Sequence, residues 1–536
     1  MTLSRRNFIQ LVGAASLAGA LPSCATETPI VEEEPEEIIP VPTELGPDGF
    51  PIYVEDPIVG PASLFSHGIA SGDPTDSAII LWTRVSPDDP SVPALVFWEC
   101  ASDAAFTTRH GAGWIAATAR HDFTAKADAQ ALPAGTNLYY RFRSQGQMSI
   151  VGRTKTASST AAQARFALAS CARFEAGYYI AYGAIAELDD LDAVIHVGDY
   201  IYEYADGVTD AVRSAEPANE LFTLADYRTR YSCYRRDVQL QAMHARHPVI
   251  AVWDDHEVVN DAWSTGMPAD STPSPIEFSA RKKNALRAHG EWMPVRVNAD
   301  GSIHRSFRFG PTDLFMLDTR YEGRVQQTTS NNFAAIASPA RTLLGSVQEE
   351  WLASGLASTN AQYCLIGQQL MMAQLALRGR TLSQGGPNIV NPDQWDGYQG
   401  SRAWIFDQFA RRQNVVVLSG DLHVSFASEL VIDPWDSAVY NPETGAGVVG
   451  VELLTPGITS PSGIDGAFLG FALDNNPHIL YGEIEHRGFV SLEFDSTQMR
   501  ASYNHVENAR DETSGFLPPV QFEMMSGSKR LVRVGS

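Results

Sequence analysis

Four apolar runs in this chain break off into the same kinds of residue, and that repetition limits what the chain can fold into. "FALASCARF" runs out at Cys171, and "VIHVGDYIY" at Asp199 with Tyr202 three residues on. "VIAVWDDHEVVND" ends in Asp254, Asp255, His256 and Glu257, and "VVVLSGDLHVS" in Asp421 and His423. Runs so rich in Val, Ile and Ala read as parallel strands buried on both faces. In an open parallel sheet the carboxyl ends of the strands lie along one edge, where ligands bind, so these polar groups would meet there. Taken singly, each has a plainer reading: a cysteine as a small core residue, an aspartate as a turn former, a histidine at the surface. Taken together, several converging carboxylates would repel strongly in a low dielectric unless a cation neutralised them.

Helix-like stretches such as "YIAYGAIAEL" and "RAWIFDQFARR" alternate with these strands, which argues a layered α/β domain over residues 164–510. Residues 61–157 follow another pattern: "AIILWTRV", "ALVFWEC", "GWIAATA" and "NLYYRFRS" are short strands separated by turns. That spacing predicts a small all-β sandwich in which nothing looks chemical, Asp73 before Pro74 being a turn residue. "TASSTAAQA" marks the boundary, and residues 511–536, mixing Gly, Pro and basic residues, read as a tail. At 536 residues the chain is long enough for two cores.

The first 24 residues carry paired Arg5 and Arg6, a short weakly apolar stretch and then small residues, an export signal too short to span a bilayer. Ser4-Arg5-Arg6-Asn7-Phe8 resembles the bacterial twin-arginine signal, which implies the twin-arginine machinery as a partner and a periplasmic, cell-surface or extracellular destination. Leu21-Pro22-Ser23-Cys24 resembles a lipobox, which would make Cys24 a lipid anchor; the alternative is ordinary cleavage with Cys24 lost. Residues 25–60 are acidic and proline-rich, a self-repelling linker. Five cysteines without paired spacing argue against a disulfide framework. A formal net charge of −24 repels polyanions, so no nucleic-acid-binding module is expected, although a phosphate substrate fits if cations line its site.

Thiolate, phenolate, carboxylate and imidazole together suit a hard or borderline trivalent metal such as Fe(III), beside an oxygen-rich site for Ca²⁺, Mg²⁺ or Mn²⁺. Asp199-x-x-Tyr202, Asp-Asp-His-Glu and Gly-Asp-x-His resemble the metal-binding loops of calcineurin-like metallophosphoesterases. More narrowly, the chain resembles the alkaline phosphatase D (PhoD) family through "HGIASGDPTDSAIILWTRV", "SCARF", "VGDYIYEY", "VIAVWDDHEVVNDAW", "LDTRYEGR", "WDGYQGSR", "SGDLHVSF" and "LTPGITSPSG", in order along the exported chain. The resemblance implies an α-β-β-α metallophosphoesterase domain after an immunoglobulin/fibronectin-like sandwich, and Fe(III) with one or two Ca²⁺ at the site. Carried over by position, Cys171, Asp199, Tyr202 and His423 would hold the iron. Asp199 would bridge to a second site completed by Asp255, Asp421 and, as a further candidate, Asn260.

His256 would face the substrate, protonating the leaving oxygen or steadying the phosphoryl group. Arg320, in "LDTR", is a candidate phosphate contact, with pairing to a local carboxylate as the alternative. The arginines from Arg228 to Arg236 are expected on a helix surface with tyrosines packing inward. Against the broader superfamily, Cys171 stands where Asp-x-His is usual, Asp421 replaces a histidine, and Gln368–Gln369 fall near the place of another. The implied activity is a secreted alkaline phosphatase/phosphodiesterase acting on phosphate mono- and diesters through metal-activated hydroxide. Alternatives are a phosphodiesterase acting on phospholipid or cell-wall polymer with the same site, and a catalytically inert surface-binding protein.

Overall fold

Three of the four motif-bearing strands lie side by side. Ala164–Ala169, Ala193–His196 and Val249–Ala251 are parallel neighbours, with Ala167 opposite Val194 and Val194 opposite Val249. The computed structural model describes residues 39–55, 57–204, 210–269, 274–380, 388–464 and 466–535. The export signal of residues 1–24, with Arg5, Arg6 and Cys24, and the linker as far as residue 38 lie outside the described residues.

The three strands form the centre of a ten-stranded sheet. On one side it continues through Arg487–Phe494, Gln498–Val506, Val520–Met525 and Val532–Val534, and on the other through Ile69–Gly72, Ile79–Arg84 and Thr124–Ala129. The fourth motif strand, Val415–Ser419, is not part of that sheet. It lies in a seven-stranded sheet between Tyr363–Gly367 and Val448–Leu454. A single sheet edge, as the apolar runs suggest, is therefore not what gathers the motifs: two sheets bring their strand ends together. The period of two within the second sheet shows how. Leu314, Met316, Leu365, Val416 and Leu418 pack with Phe166, Leu168, Val490 and Leu492 of the first sheet. The alternate residues Phe315, Cys364, Ile366, Val415 and Val417 pack beneath the helices Ser346–Ser358 and Gln399–Ala410. The helices Ile180–Glu187 and Val238–Arg246 bury Tyr182, Ile185, Leu240 and Met243 in the first core. The layers run α-β-β-α, and strands apolar on both faces are what two buried sheets demand.

The amino-terminal region is an antiparallel β domain, but one of its two leaves is shared. Its separate sheet runs in the order Arg109–Ala117, Ala94–Ala101, Asn137–Ser144 and Gln147–Met148, with Gly152–Lys155 also on Asn137–Ser144. The facing leaf is the Ile69–Gly72, Ile79–Arg84 and Thr124–Ala129 end of the ten-stranded sheet, joined to Val249 by Gly72 in parallel pairing. Leu64, Leu81, Val96, Leu138 and Phe142 fill the space between them. At the other end, residues 511–536 are not simply a tail, because Val520–Met525 and Val532–Val534 extend the ten-stranded sheet. Among the described residues, no helix is long and apolar enough to cross a membrane. Four cysteines, Cys100, Cys171, Cys233 and Cys364, are buried and free.

Candidate metal centre

The loops that follow the motif strands are shaped by close approach. At Gly198 φ is 107°, and an added Cβ would stand 2.4 Å from Asp254 Cβ, so only glycine lets these two loops touch. A Cβ on Gly420 would lie 2.6 Å from Ser170 Oγ and 3.1 Å from Val197 Cγ2, which is where the second sheet's loop meets the first sheet's strand ends. Cys171, Asp199, Asp421 and His423 all have positive φ, between 55° and 65°. Left-handed backbone is uncommon for residues other than glycine and clusters where a site imposes it.

These loops produce three groups of donors that share members. Cys171, Asp199 and His423 converge; so do Asp199, Asp255 and His256, and also Asp254, Asp255 and Asp421, with the donor atoms of each group within 4.8 Å of one another. Tyr202 joins the first group. Its hydroxyl donates to Asp199 Oδ2 at 2.9 Å and lies 3.0 Å from His423 Nε2, while Ser460 Oγ donates to the phenol oxygen at 2.7 Å. The Pro461 carbonyl, 2.9 Å from His423 Nδ1, accepts that nitrogen's proton and leaves the Nε2 lone pair on the side of Tyr202 and Asp199. One phenolic proton cannot serve Asp199 and His423 together. Asp199 Oδ1 and Asp254 Oδ2 are buried with no hydrogen-bond partner among the described residues.

The charges point the same way. Burial pushes the Cys171 thiol and the Tyr202 phenol well above their usual ranges, and Asp199 adds to both. Burial, with help from Asp199 and Asp421 and against Arg320 and His256, raises Asp255 to about 8. Burial would raise Asp199 too, but His256, His423 and the Tyr202 hydroxyl outweigh it and hold that carboxyl at about 2. By the protein's own charges alone, most of these donors would rather keep a proton. A cation is what their anionic forms lack, so the donor set fits a metal.

His256 sits over this cluster with its ring 4.3 Å from that of Tyr202. Its Nδ1 donates to Glu203 Oε2 at 2.7 Å, and Glu203 Oε1 accepts the Asn260 amide at 2.8 Å. Burial alone would lower the His256 pKa, but Glu203, with Asp199 and Asp255, carries it well above the usual value. Asn260 is brought to Glu203 and Tyr204, whose hydroxyl donates to Asn260 Oδ1 at 3.1 Å. Glu257 turns inward as a brace, accepting the amides of Asp199 at 3.0 Å, Tyr200 at 2.6 Å and Asp254 at 2.7 Å.

Of the two readings of Arg320, pairing with carboxylates is the one the structure favours. The helix-surface expectation for Arg228 to Arg236 holds for the inward tyrosines Tyr227, Tyr231 and Tyr234 but fails at Arg230 and Arg235. Arg320 is fully buried and faces carboxylates: its Nε donates to Asp254, its Nη1 to Asp393 at 2.7 Å and its Nη2 to Asp421 at 2.5 Å, with Asp255 3.6 Å away. It holds the acidic loops together instead of waiting for phosphate. Arg230 and Arg235 do not ride a helix surface but are fully buried, and Arg230 donates to the carbonyls of Tyr202, Tyr204, Glu216 and Pro217. A loop without regular pairing leaves carbonyls that only such a donor can satisfy. Gln368 and Gln369 are equally engaged, Gln369 bridging Thr319 to the carbonyls of Trp253 and Leu317.

Residues 166–503 match the family model of the PhoD-like phosphatase, and residues 59–158 match that of the PhoD-like phosphatase N-terminal domain. The chain belongs to the PhoD-like phosphatase family. It is 35% identical over 467 residues to alkaline phosphatase D of Bacillus subtilis (strain 168), covering 82% of this chain and 77% of that protein. A solved structure of PhoD superimposes with a TM-score of 0.79 at 32% identity, covering 90% of this chain and 94% of the other. The purple acid phosphatase PPD1 of yellow lupin shares the fold, with a TM-score of 0.53 at 11% identity over 85% of this chain and 74% of that one. This PhoD-like phosphatase is a phosphoric ester hydrolase with buried Asp, His and Cys groups able to hold metal.

Several residues of the PhoD-like phosphatase site escaped the sequence reading. Glu203 had a signal, standing four residues after Asp199, but its partner His256 lies 53 positions away. Ser460 and Pro461 lie in the quoted stretch "LTPGITSPSG" without a role assigned to them, and Asp393 and Gln394 had no signal. Ser460 and Pro461 orient Tyr202 and His423, and Gln394 Nε2 donates to Asp421 Oδ2 at 2.6 Å.

Proposed function

We propose that this protein is an exported alkaline phosphatase/phosphodiesterase that hydrolyses phosphate mono- and diesters with Fe(III) and Ca²⁺. Cys171, Asp199, Tyr202 and His423 would hold Fe(III). Asp199, Asp254, Asp255 and Asp421 would hold Ca²⁺, with the second lone pair of Asn260 Oδ1 as a further donor. The observation that carries the reading is Asp199: one oxygen receives Tyr202, and the other is buried without a hydrogen-bond partner among the described residues, where donor groups overlap. When bound, the cations supply Lewis-acid stabilisation of phosphoryl charge and acidify the attacking water.

The chain's own residues do the rest. Glu203 orients the His256 ring and raises its pKa, which favours the form whose Nε2 can give a proton to the leaving oxygen. Pro461 and Ser460 fix the tautomer of His423 and the position of Tyr202, and Glu257 holds the loops of Asp199 and Asp254 at one spacing.

Hydrolysis of p-nitrophenyl phosphate and bis-p-nitrophenyl phosphate, with and without added Ca²⁺, tests the activity. Turnover of at least one is expected, and none by metal-loaded protein would overturn the reading. Elemental analysis should find iron and calcium, with a visible tyrosinate-to-Fe(III) band that Tyr202→Phe abolishes; zinc alone would refute the metal assignment. Replacing Arg5 and Arg6 by Lys should trap the precursor in the cytoplasm, because the paired guanidinium groups are not interchangeable with ammonium. Cys24→Ala should release a membrane-attached product if Cys24 carries a lipid.

A further inference from the structure

With Arg320 facing carboxylates, the site as described offers no cation to the substrate from the position where the sequence suggested one. The arginines around the donor cluster can be compared nitrogen by nitrogen. The Nη atoms of Arg320 donate to Asp393 and Asp421, and those of Arg324 to Thr319 O and to Asp393. Those of Arg230 donate to the carbonyls of Tyr202, Tyr204 and Pro217, and those of Arg487 to His423 O, Ser460 O and Ile484 O. Arg173 differs. Its backbone is fixed at both ends: the amide donates to Ser460 Oγ at 3.2 Å, and the carbonyl accepts from Thr459 Oγ1 at 2.6 Å. Its guanidinium makes no hydrogen bond among the described residues. The nearest carboxylate is Glu175, 3.9 Å from Nε, beyond hydrogen-bond range.

The position of that guanidinium is specific. Its carbon lies 4.9 Å from the ring centre of Tyr204 and 5.9 Å from that of Tyr202, and both rings pack against His256, at 5.0 and 4.3 Å. The side chain keeps 18% of its surface exposed. Cys171, a candidate donor for the metal, and Arg173 thus leave the same strand end, and the charge rests against two tyrosine rings that also pack on His256. Stacking on two tyrosines holds the plane of the fork in place at little cost in side-chain freedom, and leaves its terminal N–H groups to a ligand.

We propose that Arg173 contacts the non-bridging phosphoryl oxygens of the substrate and thereby favours dianionic phosphate monoesters over monoanionic diesters. The inference rests on the phosphoesterase reading of this site. A guanidinium fork matches two oxygens of one phosphoryl group, and a cation whose terminal N–H groups carry no hydrogen bond among the described residues discriminates by the charge it meets. A monoester at alkaline pH offers both more charge and one more free oxygen than a diester.

The test uses metal-loaded full-length protein and its Arg173→Gln variant. It compares kcat/KM for p-nitrophenyl phosphate and bis-p-nitrophenyl phosphate, the binding of inorganic phosphate by calorimetry, and metal content. Metal content should be unchanged, phosphate binding weaker by about ten-fold, and kcat/KM for the monoester should fall about ten-fold further than for the diester. Equal losses on both substrates, or unaltered phosphate binding, would overturn the proposal. If Arg173→Gln loses metal, Arg173→Lys decides: retained metal with intermediate phosphate affinity supports the contact, and loss of metal there too makes Arg173 a structural residue and overturns it. Should wild-type protein turn over neither ester, the activity reading fails on its own, and phosphate binding still reports on Arg173.

Discussion

Gly72-Asp73 and Gly198-Asp199 are the same dipeptide at the ends of two strands of one sheet, separated by a single strand. Both aspartates are buried, with φ of 46° and 55°. Yet Asp73 is satisfied and Asp199 is not. Arg305 grips Asp73 with two hydrogen bonds of 2.9 and 2.7 Å, and the Arg296 amide adds a third at 2.5 Å. Asp199 has the Tyr202 hydroxyl on one oxygen and, among the described residues, no hydrogen-bond partner on the other. The lesson is that a buried carboxylate becomes a ligand by what is withheld from it. A guanidinium makes Asp73 a fastener between the amino-terminal leaf and the strand Arg305–Phe309, and its absence at Asp199 leaves a charge for a cation.

The largest effect that would break this comparison is at Asp199. Asp199→Asn should cost several orders of magnitude in activity and at least one metal, with the fold retained, because an amide is a poor bridge between cations. Full metal content and normal turnover would return Gly198-Asp199 to the status of a turn. Glu203→Gln should reduce kcat by about 10- to 100-fold with metal retained, the size expected when the partner orienting a reactive histidine is weakened. An unchanged pH profile and rate would remove Glu203 from the site.

Asp73→Ala should act oppositely, leaving metal per folded molecule unchanged but lowering stability by about 3–5 kcal/mol, since it strands the guanidinium of Arg305. A denaturation curve decides. Loss of metal at native stability would mean the two aspartates are not different in kind.

Acid should not distinguish the two strands. Burial holds His67, just before the Asp73 strand, and His196, in the strand leading to Asp199, at about 3. Each stays neutral when folded but takes a proton near 6.5 when unfolded, so the unfolded state binds more protons between those values. Stability should therefore fall as pH drops from 6.5 toward 3. A denaturation midpoint flat across that window would contradict the burial of both. The smallest effect is at Tyr200, whose hydroxyl lies 2.9 Å from His244 Nε2, away from the donors. Tyr200→Phe should keep most activity where Tyr202→Phe does not.

Much of this protein was legible because it is local. Runs such as Ala193–His196 and Val415–Ser419 declare themselves as doubly buried strands by composition, and Cys171, Asp199, Tyr202, Asp255, Asp421 and His423 stand directly after such runs. The donor types were therefore readable from the chain alone, and the resemblance of their motifs to a known family implied a phosphoesterase. The tertiary structure decided what depends on distant partners. It placed Val415–Ser419 in a second sheet, merged one leaf of the amino-terminal domain with the catalytic sheet, and set Val520–Met525 on its edge. It also gave Arg305 to Asp73 across 232 positions and Arg320 to the acidic loops, while leaving the Arg173 guanidinium without a hydrogen bond among the described residues. The physical reason is range. The burial of a strand's faces is written in its own alternation of residues, whereas the fate of a charge is settled by whichever opposite charge the fold carries to it.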